Sequence, residues 1–162
     1  MNLIPYHSEA LVSILSKEEV LGHLMRTTRQ VNFLGMENSI DEKIKFNGIV
    51  GQEGFRISRV IKKGDSFLPL ISGKVEATSR GSLILVEYRP FPATVFFLAF
   101  WSVILLAFSA YFFYQLNPGY ALICLSLALG NYGLGLLFFH RQVRISRALF
   151  HEQINLEMKD KD

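Results

Sequence analysis

The sequence predicts an α+β membrane protein: N-terminal helices, an antiparallel β meander of about four strands, a transmembrane helical hairpin and a C-terminal cytoplasmic helix. Three observations predict it. No charged residue occurs between Arg89 and Arg141. Four short β-rich runs, separated by turn clusters, fill the stretch from Lys43 to Pro90. Before them, helix-start chemistry precedes an apolar face. The expected organisation is a cytoplasmic α+β module over 1–91, a hairpin over 92–140 and a basic juxtamembrane helix and tail over 141–162.

At the start of the chain, Ser16 and Glu19 form a Ser-x-x-Glu capping box that opens a helix at Lys17. Val20, Leu21, Leu24 and Met25 supply one apolar face. A shorter helical turn is expected from Ser8 to Leu15, with Leu11, Ile14 and Leu15 inward.

The β-rich runs are "KIKFNGIV", "FRISRVIK", "SFLPLISGKVEAT" and "SLILVEYRP". The clusters "GQEG", "KKGD" and "TSRG" separate them as turns. Pro69 points to an edge or a bulge in the third run. In the fourth, Leu83 and Leu85 face one way while Ile84, Val86 and Tyr88 face the other, which predicts a strand covered on both sides. Only Pro90 to Pro92 separate that strand from the first apolar helix, so the sheet is expected close to the membrane surface.

Ala93 to Leu116 is an uncharged run of 24 residues. As a helix it spans roughly 36 Å, against roughly 30 Å of bilayer hydrocarbon. "NPG" turns the chain, and Tyr120 to His140 is long enough to return. A buried hairpin in a soluble protein would need far more chain to cover it. Lys74, Arg80 and Arg89 precede the first helix and Arg141, Arg144 and Arg147 follow the second, while the connecting turn is uncharged. That asymmetry predicts a two-pass protein of the plasma (inner) membrane with both termini cytoplasmic. Tyr111, Tyr114 and Tyr120 mark the outer tip, and Tyr88 and Phe91 the inner edge.

Composition excludes several classes. Residues 1–91 hold 12 Lys/Arg against 10 Asp/Glu, with no dense basic face, so no nucleic-acid partner is expected. The single cysteine, Cys124, allows no intrachain disulfide. The first residues lack the basic start and apolar stretch of a signal peptide. The four histidines, His7, His23, His140 and His151, sit in no metal-ligand spacing, and neither metal nor cofactor is expected. No G-x-S-x-G, P-loop, H-E-x-x-H or dinucleotide motif occurs. "GQEGF" lacks a phosphate-binding lysine and reads as a hairpin turn, and Asp41-Glu42 as a solvated pair. "RISR" occurs at Arg56 and again at Arg144, too short a match to mark a repeat.

Polar and small residues in the apolar region carry the site expectations. Asn131 needs a partner in hydrocarbon, with Ser102, Ser109 or the Trp101 indole in reach. Ser126, Gly130 and Gly133 recur at i, i+4 and i+7 as one small-residue face, matched by a weaker face of Ala99, Ser102 and Ser109. These faces are expected to pack the hairpin together, or to serve other subunits. Trp101 sits deep and is expected to pack against protein. Beyond His140, Val143, Phe150 and Ile154 form one stripe and Ile145, Leu149 and Leu156 an opposed one, as in a helix between two partners. Arg141, Arg144 and Arg147 are expected at lipid headgroups.

The run "FRISRVI…SFLPLISGKVE…GSLILVEYRP" followed by a helical hairpin resembles small, uncharacterised bacterial membrane proteins in which a β-rich cytoplasmic module is fused to two membrane helices. It also distantly resembles bacterial pleckstrin-homology-like membrane proteins. The resemblance covers Phe46 to Phe139. It implies a bacterial membrane and a sheet or small barrel without catalytic residues. The residues together lead to the expectation of a non-enzymatic integral membrane protein that acts through assembly or partner binding of its anchored β module. Its partners would be membrane lipids and either further copies of itself or another membrane protein. The alternative is an oligomeric membrane-perturbing effector gated by the β module.

Overall fold

The computed structural model describes residues 5–29, 44–61 and 67–159, and the side chains among them as far as 155. Asp41-Glu42, the "KKGD" turn and the Leu156 side chain lie outside the described residues. The described chain is α+β: β1 (His7–Ser13), α1 (Lys17–Thr27), β2 (Thr28–Arg29), β3 (Phe46–Val50), β4 (Gly54–Arg59), β5 (Pro69–Thr78), β6 (Gly81–Pro90), α2 (Pro92–Tyr114) and α3 (Pro118–Lys159). One mixed sheet has the strand order β1-β6-β5-β4-β3-β2.

The first segment differs from its expectation. Ser8 to Leu15 is not helical: residues 7–13 form β1, antiparallel to β6 from His7↔Tyr88 to Ser13↔Ser82. The helical reading of Leu11, Ile14 and Leu15 also fits a period of two, in which Leu11, Ser13 and Leu15 point inward. Ile14 is 63% exposed and Leu15 only 1%. The seven-residue ladder to β6, remote in sequence, satisfies the backbone and overrides the local pattern. α1 begins as expected. Glu19 N–H donates to Ser16 Oγ at 3.3 Å, and Ser16 N–H donates to the Glu19 carboxylate at 2.8 Å. Val20, Leu21 and Leu24 are buried, whereas Met25 is exposed.

β3 to β6 form the expected antiparallel meander, extended at its flanks by β1 and by a short parallel β2–β3 pair. "GQEG" closes the β3–β4 hairpin, with Gly51 N–H donating to Gly54 C=O at 2.8 Å. The β5–β6 hairpin turns at Ser79-Arg80. Its exit residue, Gly81, has φ +130°, and a Cβ there would collide with the Ser13 carbonyl. Pro69 is not on an edge strand. β5 is interior, but Pro69 is its first residue and lies beyond the β4 pairing, which stops at Ile57↔Ile71, so no ladder bond to β4 is lost.

The sheet has one core face. Phe46, Ile57, Ile71, Val75, Ile84, Val86 and Tyr88 lie under α1 and the last third of α3. Val143, Phe150 and Ile154 of α3 join this core, so that expected stripe docks on the chain's own β module. Leu149 also packs against it, while Ile145 is 41% exposed. The expectation that β6 is covered on both sides is corrected: Leu85 and Val12 face outward and are exposed. Tyr88, expected at a membrane edge, is fully buried in the core.

α2 and α3 form the hairpin. Pro92 occupies the first turn of α2, where its missing N–H costs nothing. Leu116, at φ 58°, reverses the chain before Asn117 and Pro118. α3 then runs 42 residues without interruption, so hairpin arm and C-terminal helix are one element. Both helices are long and apolar enough to cross a membrane, and their apolar windows are 0% and 22% buried by the protein itself.

Candidate functional site: the junction of sheet and hairpin

The hairpin seam is built from small residues at heptad spacing. Ala121 and Ala128 are each 5% exposed, and Gly135, seven residues on, faces Leu98 so closely that an added Cβ would stand 2.8 Å from its Cδ1. A period of seven keeps one face toward a partner helix, and small side chains let the backbones approach. Asn131 lies on the same seam. Its Nδ2 donates to Ser102 Oγ at 3.1 Å and to the Leu98 carbonyl at 3.3 Å. Ser109 Oγ instead donates to the Ala121 carbonyl at 2.9 Å. Asn131, Ser102 and Ser109 therefore hold the hairpin together.

Ser126, Gly130 and Gly133 do not. At 100° per residue they lie about 180° around α3 from the Ala121–Ala128–Gly135 line. Nothing lies within 4 Å of a Cβ built at Gly130 or Gly133. The seam uses the opposite face because Asn131 and Gly135 must meet Leu98 and Ser102, and one helix cannot present both faces to one neighbour. The seam's own signal, three small residues seven apart, was present in the sequence but more widely spread than the i, i+4, i+7 cluster of Ser126, Gly130 and Gly133. Trp101 does not pack across the hairpin either. It is 44% exposed and touches Phe97 and Phe100 of its own helix. An Asn131→Leu substitution should weaken the α2–α3 pair by about 1 kcal/mol, read as a lower denaturant midpoint for hairpin opening in detergent.

A second cluster ties α3 to the sheet. Glu9 points inward from edge strand β1, and its side chain is 9% exposed. Its Oε1 accepts from Tyr88 Oη at 2.8 Å and lies 3.0 Å from His151 Nε2. Its Oε2 accepts from Arg147 Nε at 2.6 Å. Burial alone would raise the Glu9 carboxyl. Hydrogen bonds from Tyr88 and His151 and the charges of His151 and Arg147 outweigh it, and hold the group below the usual carboxylate range. Burial, then the Glu9 hydrogen bond and charge, push the Tyr88 phenol well above its ordinary value. A carboxylate with both oxygens engaged by donors is a clamp, not a free acid or base. Arg147, expected at lipid headgroups, is thus first a partner of Glu9. Farther along the sheet, Arg59 Nη2 donates to Gln142 Oε1 at 2.8 Å, a second tie between β4 and α3.

Two recesses flank the junction. An apolar one of about 310 Å³ lies among Phe67, Thr94, Leu98, Tyr132, Leu136 and Phe139, with Pro5 at its rim. A basic one of about 500 Å³ lies between the start of β1 and the turns of α3 that carry His140, Arg141, Arg144 and Arg147. Arg141 and Arg144, both exposed, stand in this recess. Among the described residues no three His, Cys, Asp or Glu side chains cluster as metal ligands. No protein-family model matches the chain, and neither the curated proteins nor the solved structures contain a significant match.

Proposed function

We propose that this chain is a two-pass protein of the plasma (inner) membrane, with both termini cytoplasmic, and that it acts without catalysis, through assembly or partner binding of its β module. One observation carries the reading. The 42 residues of α3 are an apolar, largely uncovered hairpin arm at one end and a core element of the β module at the other. No linker separates the two, because one continuous helix belongs to both. The arginine distribution supports the orientation: Arg89, Arg141 and Arg144 lie at the sheet end, and the tip at Gln115 to Pro118 is uncharged.

The open faces favour assembly. Ser126, Gly130 and Gly133 leave a strip of α3 backbone uncovered within an apolar helix, the kind of surface against which a second membrane helix packs closely. Replacing both Gly130 and Gly133 with leucine should leave the hairpin intact, since a Cβ added at either position meets nothing within 4 Å. The double variant should lose the crosslinked species that the wild-type protein gives in its native membrane. Unchanged crosslinking would remove this face from the reading. Recovery of the wild-type chain in the soluble fraction after expression would remove the membrane anchor.

A further inference from the structure

We propose that the basic recess between β1 and α3 is a binding site for the phosphate of one anionic phospholipid. The inference rests on the membrane reading above and makes it specific: a discrete site, not a diffuse attraction of arginines to a charged surface. Arg141, Arg144 and Arg147 follow one another every three residues and line the same recess with His140. Among the described residues no aspartate or glutamate lines it. Glu9 neutralises Arg147 from behind, while Arg141 and Arg144 have no ion pair or hydrogen bond among the described residues. Two unneutralised guanidinium groups thus face one concavity, the donor set that recognises a phosphate.

The opposite wall comes from another part of the chain. Tyr6 precedes and His7 begins β1, which its ladder to β6 and the Glu9–Arg147 pair hold against α3. His7 lines this wall with its ring beside that of Tyr88, centroids 5.7 Å apart, so the wall is fixed to the sheet's core. A diffuse headgroup contact would need no such wall.

The height of the recess selects a lipid over a soluble anion. Leu137 forms its apolar lip, one helical turn before Arg141, and from there to the hairpin tip α3 carries no charge. A phospholipid places its phosphate at this boundary and its chains along the apolar arm. The membrane therefore presents the ligand at high local concentration, and each arginine near an anionic surface adds to its retention.

The test uses the full chain in nanodiscs of phosphatidylcholine and phosphatidylglycerol, released and weighed by native mass spectrometry. One phosphatidylglycerol should remain per chain, in preference to phosphatidylcholine. The R141Q/R144Q double variant should retain it about thirtyfold more weakly. R141K/R144K, which keeps the charge but not the guanidinium fork, should bind more weakly than the wild type and more tightly than R141Q/R144Q, and His7→Ala should weaken binding without loss of the fold. Equal retention by R141Q/R144Q, or no preference for the anionic lipid, overturns the site. Saturable binding of inorganic phosphate in pure phosphatidylcholine nanodiscs, lost in R141Q/R144Q, with no phosphatidylglycerol retained, assigns the recess to a soluble anion and overturns the lipid. If the chain is membrane-embedded and the variants retain lipid normally, only this inference falls. If the chain is not embedded at all, the anchor reading falls with it.

Discussion

Phe150→Ala is expected to release the β module from the hairpin. Phe150 belongs to the same helix as the hairpin arm, yet it is fully buried in the sheet's core. Its ring centroid lies 5.4 Å from that of Phe55 on β4 and 6.3 Å from that of Phe46 on β3. Truncation removes the aromatic contacts and leaves a cavity the strands cannot fully close, at a cost of about 3–5 kcal/mol. That is a large share of the net stability of a small domain. Limited proteolysis of the chain in detergent should then cut within the β-module strands while the α2–α3 hairpin stays protected. Ile145→Ala, on the exposed side of the same helix, should change little. A Phe150→Ala chain as resistant as the wild type would show that α3 does not hold the module.

Glu9→Ala is expected to have the next largest effect, about 2 kcal/mol, because it leaves the buried Tyr88 hydroxyl without its acceptor. The exposed side of the Arg147 pair adds less, since solvent screens it. Glu9 also sets an acid dependence whose sign follows from its lowered value. A carboxyl that is more acidic in the folded chain than in the unfolded one contributes fully above the unfolded value, near 4.5. The contribution is lost as the pH falls through the lower folded value. Denaturation midpoints of the wild type should drop through that acid window more steeply than those of Glu9→Gln, which carries no proton to take up. Parallel pH profiles for the two would show that Glu9 is not ionised in the fold. Loss of this clamp should also loosen the wall of the basic recess, since β1 carries Glu9 together with His7, and Tyr6 directly precedes it.

Glu9 also explains how β1 is an edge strand without being a free one. An inward charge on an edge discourages pairing with a further strand. Here that charge is useful inside as well, because α3 brings Arg147 and His151 to it. In the sequence, Glu9 fell in the short turn expected from Ser8 to Leu15 and carried no site signal. Nothing local marks a carboxylate whose three partners lie 79, 138 and 142 positions away.

The sequence by itself determined the elements whose signals are local. The Ser16–Glu19 box, the "GQEG" and "TSRG" turns and the meander of β3 to β6 all follow from neighbours within a few residues. So do the two apolar helices about "NPG", because length and absence of charge are properties of a single run. It also determined that Asn131 would need a partner among Ser102, Ser109 and Trp101, since an amide in an apolar helix has few polar atoms within reach; the structure chose Ser102. Only the tertiary structure decided which face each element uses. β1 became a strand because β6 offered it a ladder. The hairpin chose Ala121, Ala128 and Gly135 over Ser126, Gly130 and Gly133 because close approach depends on what the partner helix presents. Arg147 turned from the lipid boundary to Glu9, and Phe150 into the sheet, because α3 does not stop at His140. Periodicity tells that a face exists; what meets it is settled by the free energy of burying that face against a surface distant in the chain.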